Sequence, residues 1–211
     1  DRLSSVADNL KVLGAADALV ATADLASVDP VSALAEWAGQ LGGVDAVLLA
    51  YGQLGEQEHL AADLAAARTL IDVNYASAAG WCLAAANMLE AQNKGLLIVI
   101  GSVAGDRGRQ SNFIYGSTKA GLAALVAGIA HRLAPTGAHA LNVKPGLVAT
   151  AMTAHMERSG PLWSTPQIVG EAIAKAVRRP KSGVIYSPSF WKWVMMVIRL
   201  VPNFIFHRTK L

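Results

Sequence analysis

Apolar residues in this chain come in two patterns. In the first, they run almost unbroken: VDAVLLA at 44–50, LLIVIGS at 96–102, HALNVK at 139–144 and GVIYS at 183–187. Short continuous runs bounded by turn residues suit strands of a parallel sheet, which is covered on both faces. DALVAT at 17–22 has the same look and predicts another short buried strand. In the second pattern, apolar positions recur at helical spacing. Leu3, Val6 and Leu10 predict a helix over 2–13 that Gly14 stops. Asp29-Pro30 opens a helix through Leu41, with proline in its first turn. Further helices are predicted over about 60–92, over 115–133 and from Thr165-Pro166 to about Arg179. Strand and helix alternate throughout, which argues for a single α/β domain with a parallel sheet. The longest polar interruption, 103–114, follows the carboxyl end of a strand. Open α/β sheets bind their ligands at that edge.

Composition narrows the choice. Hydrophobic residues make up 53% of the chain and charged residues 16%, with alanine supplying much of the excess. No run of 18 apolar residues goes uninterrupted by charge, so no membrane-spanning helix is expected. The net charge of +3 is small and the basic residues are scattered, so no nucleic-acid partner is expected. Cys82 is the single cysteine, which excludes an internal disulfide and a cysteine-built metal site and suits a reducing cytoplasm. His59, His131, His139 and His155 show no ligand spacing, and no metal site is expected.

The chemistry gathers at Tyr115-Gly116-Ser117-Thr118-Lys119. Residues four apart share a helix face, which brings Lys119 to the Tyr115 side chain. A free tyrosine titrates near 10, and a neighbouring ammonium favours the phenolate, making Tyr115 a usable acid or base. Ser102 closes the preceding predicted strand and offers its hydroxyl to a substrate oxygen. Asn74, in IDVNYASAAG, is a poor helix former inside a predicted helix. Pro145-Gly146-Leu147-Val148-Ala149-Thr150 follows the next strand with a turn and a hydroxyl.

Ser102, Tyr115 and Lys119, with Asn74 upstream and P-G-x-V-x-T downstream, resemble the short-chain dehydrogenase/reductase family. The resemblance covers residues 1 to about 187 and implies a doubly wound, Rossmann-like domain over 1–188. By resemblance, Ser102 polarises a carbonyl and Tyr115 moves the proton. Lys119 lowers the tyrosine pKa and holds the nicotinamide ribose, and Asn74 supports a water in the proton relay. Pro145, Gly146, Val148 and Thr150 then border the cofactor, NAD or NADP. Ala50-Tyr51-Gly52 resembles the turn beside the adenine ribose, with Ala50 where the family has asparagine. Asp24-Leu25 resembles the acidic pair at the adenine. The family opens with a strand and a T-G-x-x-x-G-x-G turn. No such turn occurs in these residues, so a first βαβ unit is expected to be missing and to belong to a longer chain. The resemblance further implies a carbonyl or alcohol substrate and a homodimer or homotetramer. A non-catalytic sensor of the same fold and a sugar-nucleotide epimerase or dehydratase are the alternatives.

GDRGRQSNFIYGSTKAGL, KPGLVATAMTAHM and FWKWVMMVIRLVPNFIF resemble the decaprenylphosphoryl-2-keto-ribose reductases, implying a keto-sugar on a polyprenyl phosphate. Arg107 and Arg109 then have two readings, contact with a phosphate or an exposed solvated loop. Residues 189–211 form an apolar amphipathic extension. On a helical wheel Lys192, Arg199 and Asn203 fall within about 40° of one another, with apolar residues around the rest. Peripheral membrane contact through 190–207 and packing against the core or a second subunit both remain open.

Overall fold

The computed structural model describes residues 2–209. In chain order its helices are α1 (Arg2–Val12), α2 (Pro30–Gln40), α3 (Gln57–Ala62), α4 (Leu64–Ile71), α5 (Ala78–Ala91), α6 (Phe113–Leu133), α7 (Pro166–Arg178), α8 (Trp191–Leu200) and α9 (Asn203–Phe206). The strands are β1 (Ala46–Leu49), β2 (Gly95–Ile100), β3 (Ala138–Pro145), β4 (Leu147–Val148), β5 (Trp163–Ser164) and β6 (Gly183–Ser187). β1-β2-β3-β6 form one parallel sheet in that order, and β4 pairs with β5 in a small parallel ladder.

Alternation along the central strands divides the core. Leu97 and Val99 of β2 and Ala140 of β3 face α2, α5 and α6. Leu96 and Ile98 of β2 and Leu141 and Val143 of β3 face α7 through Val169 and Ile173. Both faces are therefore covered, which is why these runs are apolar at every position. The domain is the doubly wound α/β sheet that the pattern predicts.

Two expectations change. Residues 17–22 form no strand: Leu19 and Val20 are exposed, and no described strand pairs with them. A strand needs a neighbour to take its backbone hydrogen bonds, and β1, at the edge of the sheet, pairs only with β2 among the described residues. The predicted helix over 60–92 is broken. Asp63 ends α3 and caps α4, accepting from the backbone N–H groups of Ala65 and Ala66. A π-helical turn, Asp72–Ser77, separates α4 from α5.

Helix α6 is long and apolar enough to cross a membrane by composition. Here one face, from Thr118 and Lys119 through Leu122, Val126 and Ile129 to Leu133, is buried against the sheet and α5. The C-terminal helix α8 closes the carboxyl edge. Trp191 and Met195 pack on Val103, with Leu147, Tyr186, Val194 and Ile198 around them.

Candidate active site

The carboxyl ends of the parallel strands supply the site. Gly52 follows β1, Ser102 follows β2, and Pro145-Gly146 ends β3. Ser102 has extended backbone and caps a short 3-10 turn, Val103–Gly105, by accepting from the Ala104 N–H at 3.1 Å. Its hydroxyl faces that of Tyr115, in the first turn of α6, closely enough to favour the phenolate. One turn on, Lys119 Nζ lies 5.8 Å from the Tyr115 ring centroid and donates to the Ile100 carbonyl at 3.0 Å.

Asn74 comes from the π-helical turn, 1% exposed. Its Oδ1 accepts from Gln53 N–H and its Nδ2 donates to Gln53 C=O, both at 2.7 Å. The side chain thus completes a backbone pair as a strand neighbour would, and fixes the turn after β1. A Cβ at Gly52 would sit 3.1 Å from Asn74 Oδ1 and 3.6 Å from Lys119 Nζ. Glycine keeps that approach open, and it links Asn74 to Lys119 through space. Single-turn π-bulges occur frequently at functional sites. The poor helix propensity of asparagine was the only trace of this one in the sequence.

Electrostatics depart from the simple expectation. Burial holds Tyr115 above its ordinary pKa, and the Ser102 hydroxyl opposes that only in part. Burial also brings Lys119 down to about 8. Within these residues desolvation, rather than attraction between the two groups, sets both titrations.

The remaining predicted positions lie further out. The Tyr51 hydroxyl meets Ser77 Oγ at 2.7 Å, and Ser77 in turn donates to the Leu25 carbonyl at 2.7 Å. Trp81 Nε1 donates to the same carbonyl at 2.9 Å. Leu25 and Tyr51 are thereby joined on one flank, beside exposed Ala50. Asp24 is exposed, and its carboxylate accepts from Ala26 N–H and Ser27 Oγ, which lowers its pKa. Gly146 is constrained by α8: a Cβ there would fall 1.9 Å from Trp191 Nε1. Val148 is in the short β4 ladder, and Thr150 caps the 3-10 turn Ala151–Thr153. No hydrogen bond joins Asp24, Val148 or Thr150 to Tyr115 or Lys119 among the described residues.

One cluster has no motif to announce it in the sequence. Asp106, just after the Ser102 turn, forms a buried ion pair with Lys144 Nζ through Oδ1. Its Oδ2 accepts from the Tyr186 hydroxyl at 2.8 Å. One carboxylate thus ties the Ser102 loop to the ends of β3 and β6. Its signal was a lysine at the end of the HALNVK strand run. Arg107 also differs from both of its readings. Nη1 donates to the carbonyls of Ile198 and Val201 at 2.5 and 2.6 Å, and Nη2 to Asn203 Oδ1 at 2.8 Å. The guanidinium lies 3.8 Å over the Phe206 ring. It serves the carboxyl end of α8, where a cation is favoured, rather than solvent or a phosphate.

The short chain dehydrogenase model matches residues 1–160. The chain belongs to the short-chain dehydrogenase family. It is 34% identical over 185 residues to an uncharacterized oxidoreductase of Mycobacterium tuberculosis, covering 88% of this chain and 73% of that one. It is 35% identical over 212 residues to one of Streptomyces coelicolor, covering 98% and 80%. Among solved structures, 3-oxoacyl-[acyl-carrier protein] reductase from Brucella melitensis in complex with NAD superposes with a TM-score of 0.74 at 24% identity, covering 87% and 81%. A short chain dehydrogenase from Burkholderia cenocepacia in complex with NADP gives 0.72 at 20%, covering 90% and 80%. At those identities the superpositions speak for the fold. This short-chain dehydrogenase is an oxidoreductase with a nicotinamide cofactor, NAD or NADP, and the comparisons leave its substrate open.

Proposed function

We propose that this short-chain dehydrogenase reduces a keto group on a sugar, carried on a polyprenyl phosphate, with Tyr115 as the proton donor. The nearness of the Ser102 and Tyr115 hydroxyls beside the buried Lys119 carries the proton-transfer part of the reading, and the sequence resemblance alone suggests the substrate. The residues suit the nicotinamide riboside end of the cofactor. Lys119 has three donors and gives one to Ile100, and Gly52 leaves the space beside it clear. Pro145, Gly146, Val148 and Thr150 would border that end, and Asp24, Leu25, Ala50, Tyr51 and Gly52 the adenosine side. When bound, the cofactor supplies hydride to the carbonyl carbon.

The chain's own residues handle the proton. Ser102 holds the carbonyl oxygen beside the Tyr115 hydroxyl. Tyr115, protonated at neutral pH, gives its proton to that oxygen as charge develops there. Lys119, close to neutrality in its titration, returns a proton to Tyr115, and Asn74 keeps the Gln53 turn in register beside it. A homodimer or homotetramer and peripheral membrane contact complete the proposal. The contact is supported by the outer face of α8–α9, where Trp193 is 60%, Leu200 74% and Phe204 69% exposed beside Lys192 and Arg199.

The test is a fluorescence titration of the protein with NADH and NADPH, followed by a keto-sugar screen. Micromolar binding and turnover are expected, with turnover lost and binding kept in Tyr115→Phe. A folded protein that binds neither cofactor overturns the proposal; one that binds but turns over no carbonyl is the non-catalytic sensor. Sedimentation with anionic vesicles, reduced in Trp193→Ser/Leu200→Ser, tests the membrane contact.

A further inference from the structure

A cleft of about 550 Å³ lies between loop 107–113 and residues 203–209. It contains two arginines with opposite situations. Arg107 spends three donors on the end of α8 and on Asn203. Arg109 does not: its Nε is buried with no hydrogen-bond partner among the described residues. The acid that favours its charge is Asp106, and both Asp106 oxygens are already engaged, by Lys144 and by Tyr186. No carboxylate lines the cleft among the described residues. A guanidinium stays charged at any pH a protein survives, so Arg109 is a half-buried cation that makes no direct ion pair among the described residues.

We infer that Arg109 is the anchor of a phosphate-binding subsite for the substrate. The cleft suits phosphate better than a carboxylate. A carboxylate is satisfied by the two-pronged fork of one arginine. A phosphate has further oxygens, and Gln110 and His207 line the same cleft from its two sides. Phe113 and Phe206 supply apolar walls, so the ligand class is a phosphate ester with an apolar portion. Phe113 opens α6 two residues before Tyr115, so the cleft adjoins the helix that carries Tyr115. What the phosphate is attached to rests on the reading in Proposed function; the anion site does not.

The experiment is calorimetric titration of the full chain with inorganic phosphate, with pyrophosphate and with a short water-soluble isoprenyl phosphate. Wild type, Arg109→Gln and Arg109→Lys are compared, and an NADH titration of each variant controls for folding. Phosphate binding should weaken about ten- to a hundredfold in Arg109→Gln, the range for a charged hydrogen-bonded contact. Arg109→Lys should restore part of it, and NADH binding should be unchanged. Tighter binding of the isoprenyl phosphate than of inorganic phosphate identifies a lipid phosphate, and equal binding a free one; both support the site. Equal affinity of wild type and Arg109→Gln for every phosphate, or no binding by either, overturns it. Arg109-dependent phosphate binding in a protein that reduces no carbonyl would sink the reductase reading and leave this site standing.

Discussion

β1 and β2 are hydrogen-bonded neighbours of similar sequence, AVLL against GLLIVI, yet they sit in different surroundings. In β2, Leu96, Leu97, Ile98 and Val99 are each at most 1% exposed. In β1, Leu48 is 47% exposed, and the apolar segment at 17–22 beyond it is not a strand at all. The inner flank, β2, β3 and α6, has a partner on every side; the outer flank has one on only some. Ser102, Tyr115 and Lys119 all belong to the inner flank, and the positions assigned to the adenosine side belong to the outer one. The proposed catalytic residues thus sit where the packing is complete. An apolar run becomes a rigid strand only where neighbours take its backbone groups.

The sharpest test of that division is chemical. Tyr115→Phe should cut carbonyl reduction by about 10²–10⁴-fold while circular dichroism and unfolding stay as in wild type. A parallel loss of stability would show that the hydroxyl holds the fold instead. Next in size is the buried pair. Asp106→Asn leaves Lys144 without its counter-charge and should cost about 3–5 kcal/mol in urea unfolding. Asp106→Leu/Lys144→Met together should come back close to wild type in stability. Its reductase activity would then report how far the Ser102 loop depends on this tie.

Core truncation is third. Leu97→Ala, at a fully buried site, should cost roughly 2–5 kcal/mol. The pH dependence is smaller. The folded pKa of Lys119 is about 8 against an ordinary 10.5, so the unfolded chain binds more protons between those values. Stability should therefore rise as pH goes from 8 toward 10, by roughly 2 kcal/mol. Tyr115 acts in the opposite sense above 10, where the folded protein keeps a proton that the unfolded chain loses. Lys119→Met should abolish the rise. The smallest effect belongs to the outer flank: Leu48→Ala should change stability by about 0.5 kcal/mol or less. A loss there as large as at Leu97 would break the comparison.

Much of this was legible in the sequence because it is local. The four ladder strands follow from unbroken apolar runs, and the Tyr115–Lys119 pair from helical spacing. The strand expected at 17–22 failed because pairing depends on a neighbour that no residue in the segment encodes. The π-helical turn at Asn74 was hidden because its cause, the backbone of Gln53, lies 21 residues away. Asp106, Lys144 and Tyr186 were missed for the same reason: they meet across separations of 38 and 80 residues. Arg107 was misread because its acceptors are backbone carbonyls, which carry no sequence signature.

The Arg107 contact also bears on how the protein is made. A ribosome delivers the Ser102 loop and Tyr115 some eighty residues before Ile198, Val201 and Asn203, which receive the Arg107 guanidinium. Ser102, Tyr115 and Lys119 can therefore all have emerged while the loop between Ser102 and Tyr115 still lacks its fastening. A product of premature termination before Ile198 would contain Ser102, Tyr115 and Lys119 and still have an unfastened loop. The fastening is thus made after the loop it holds, and chains that stop before Ile198 should be cut by proteases at residues 103–112 first.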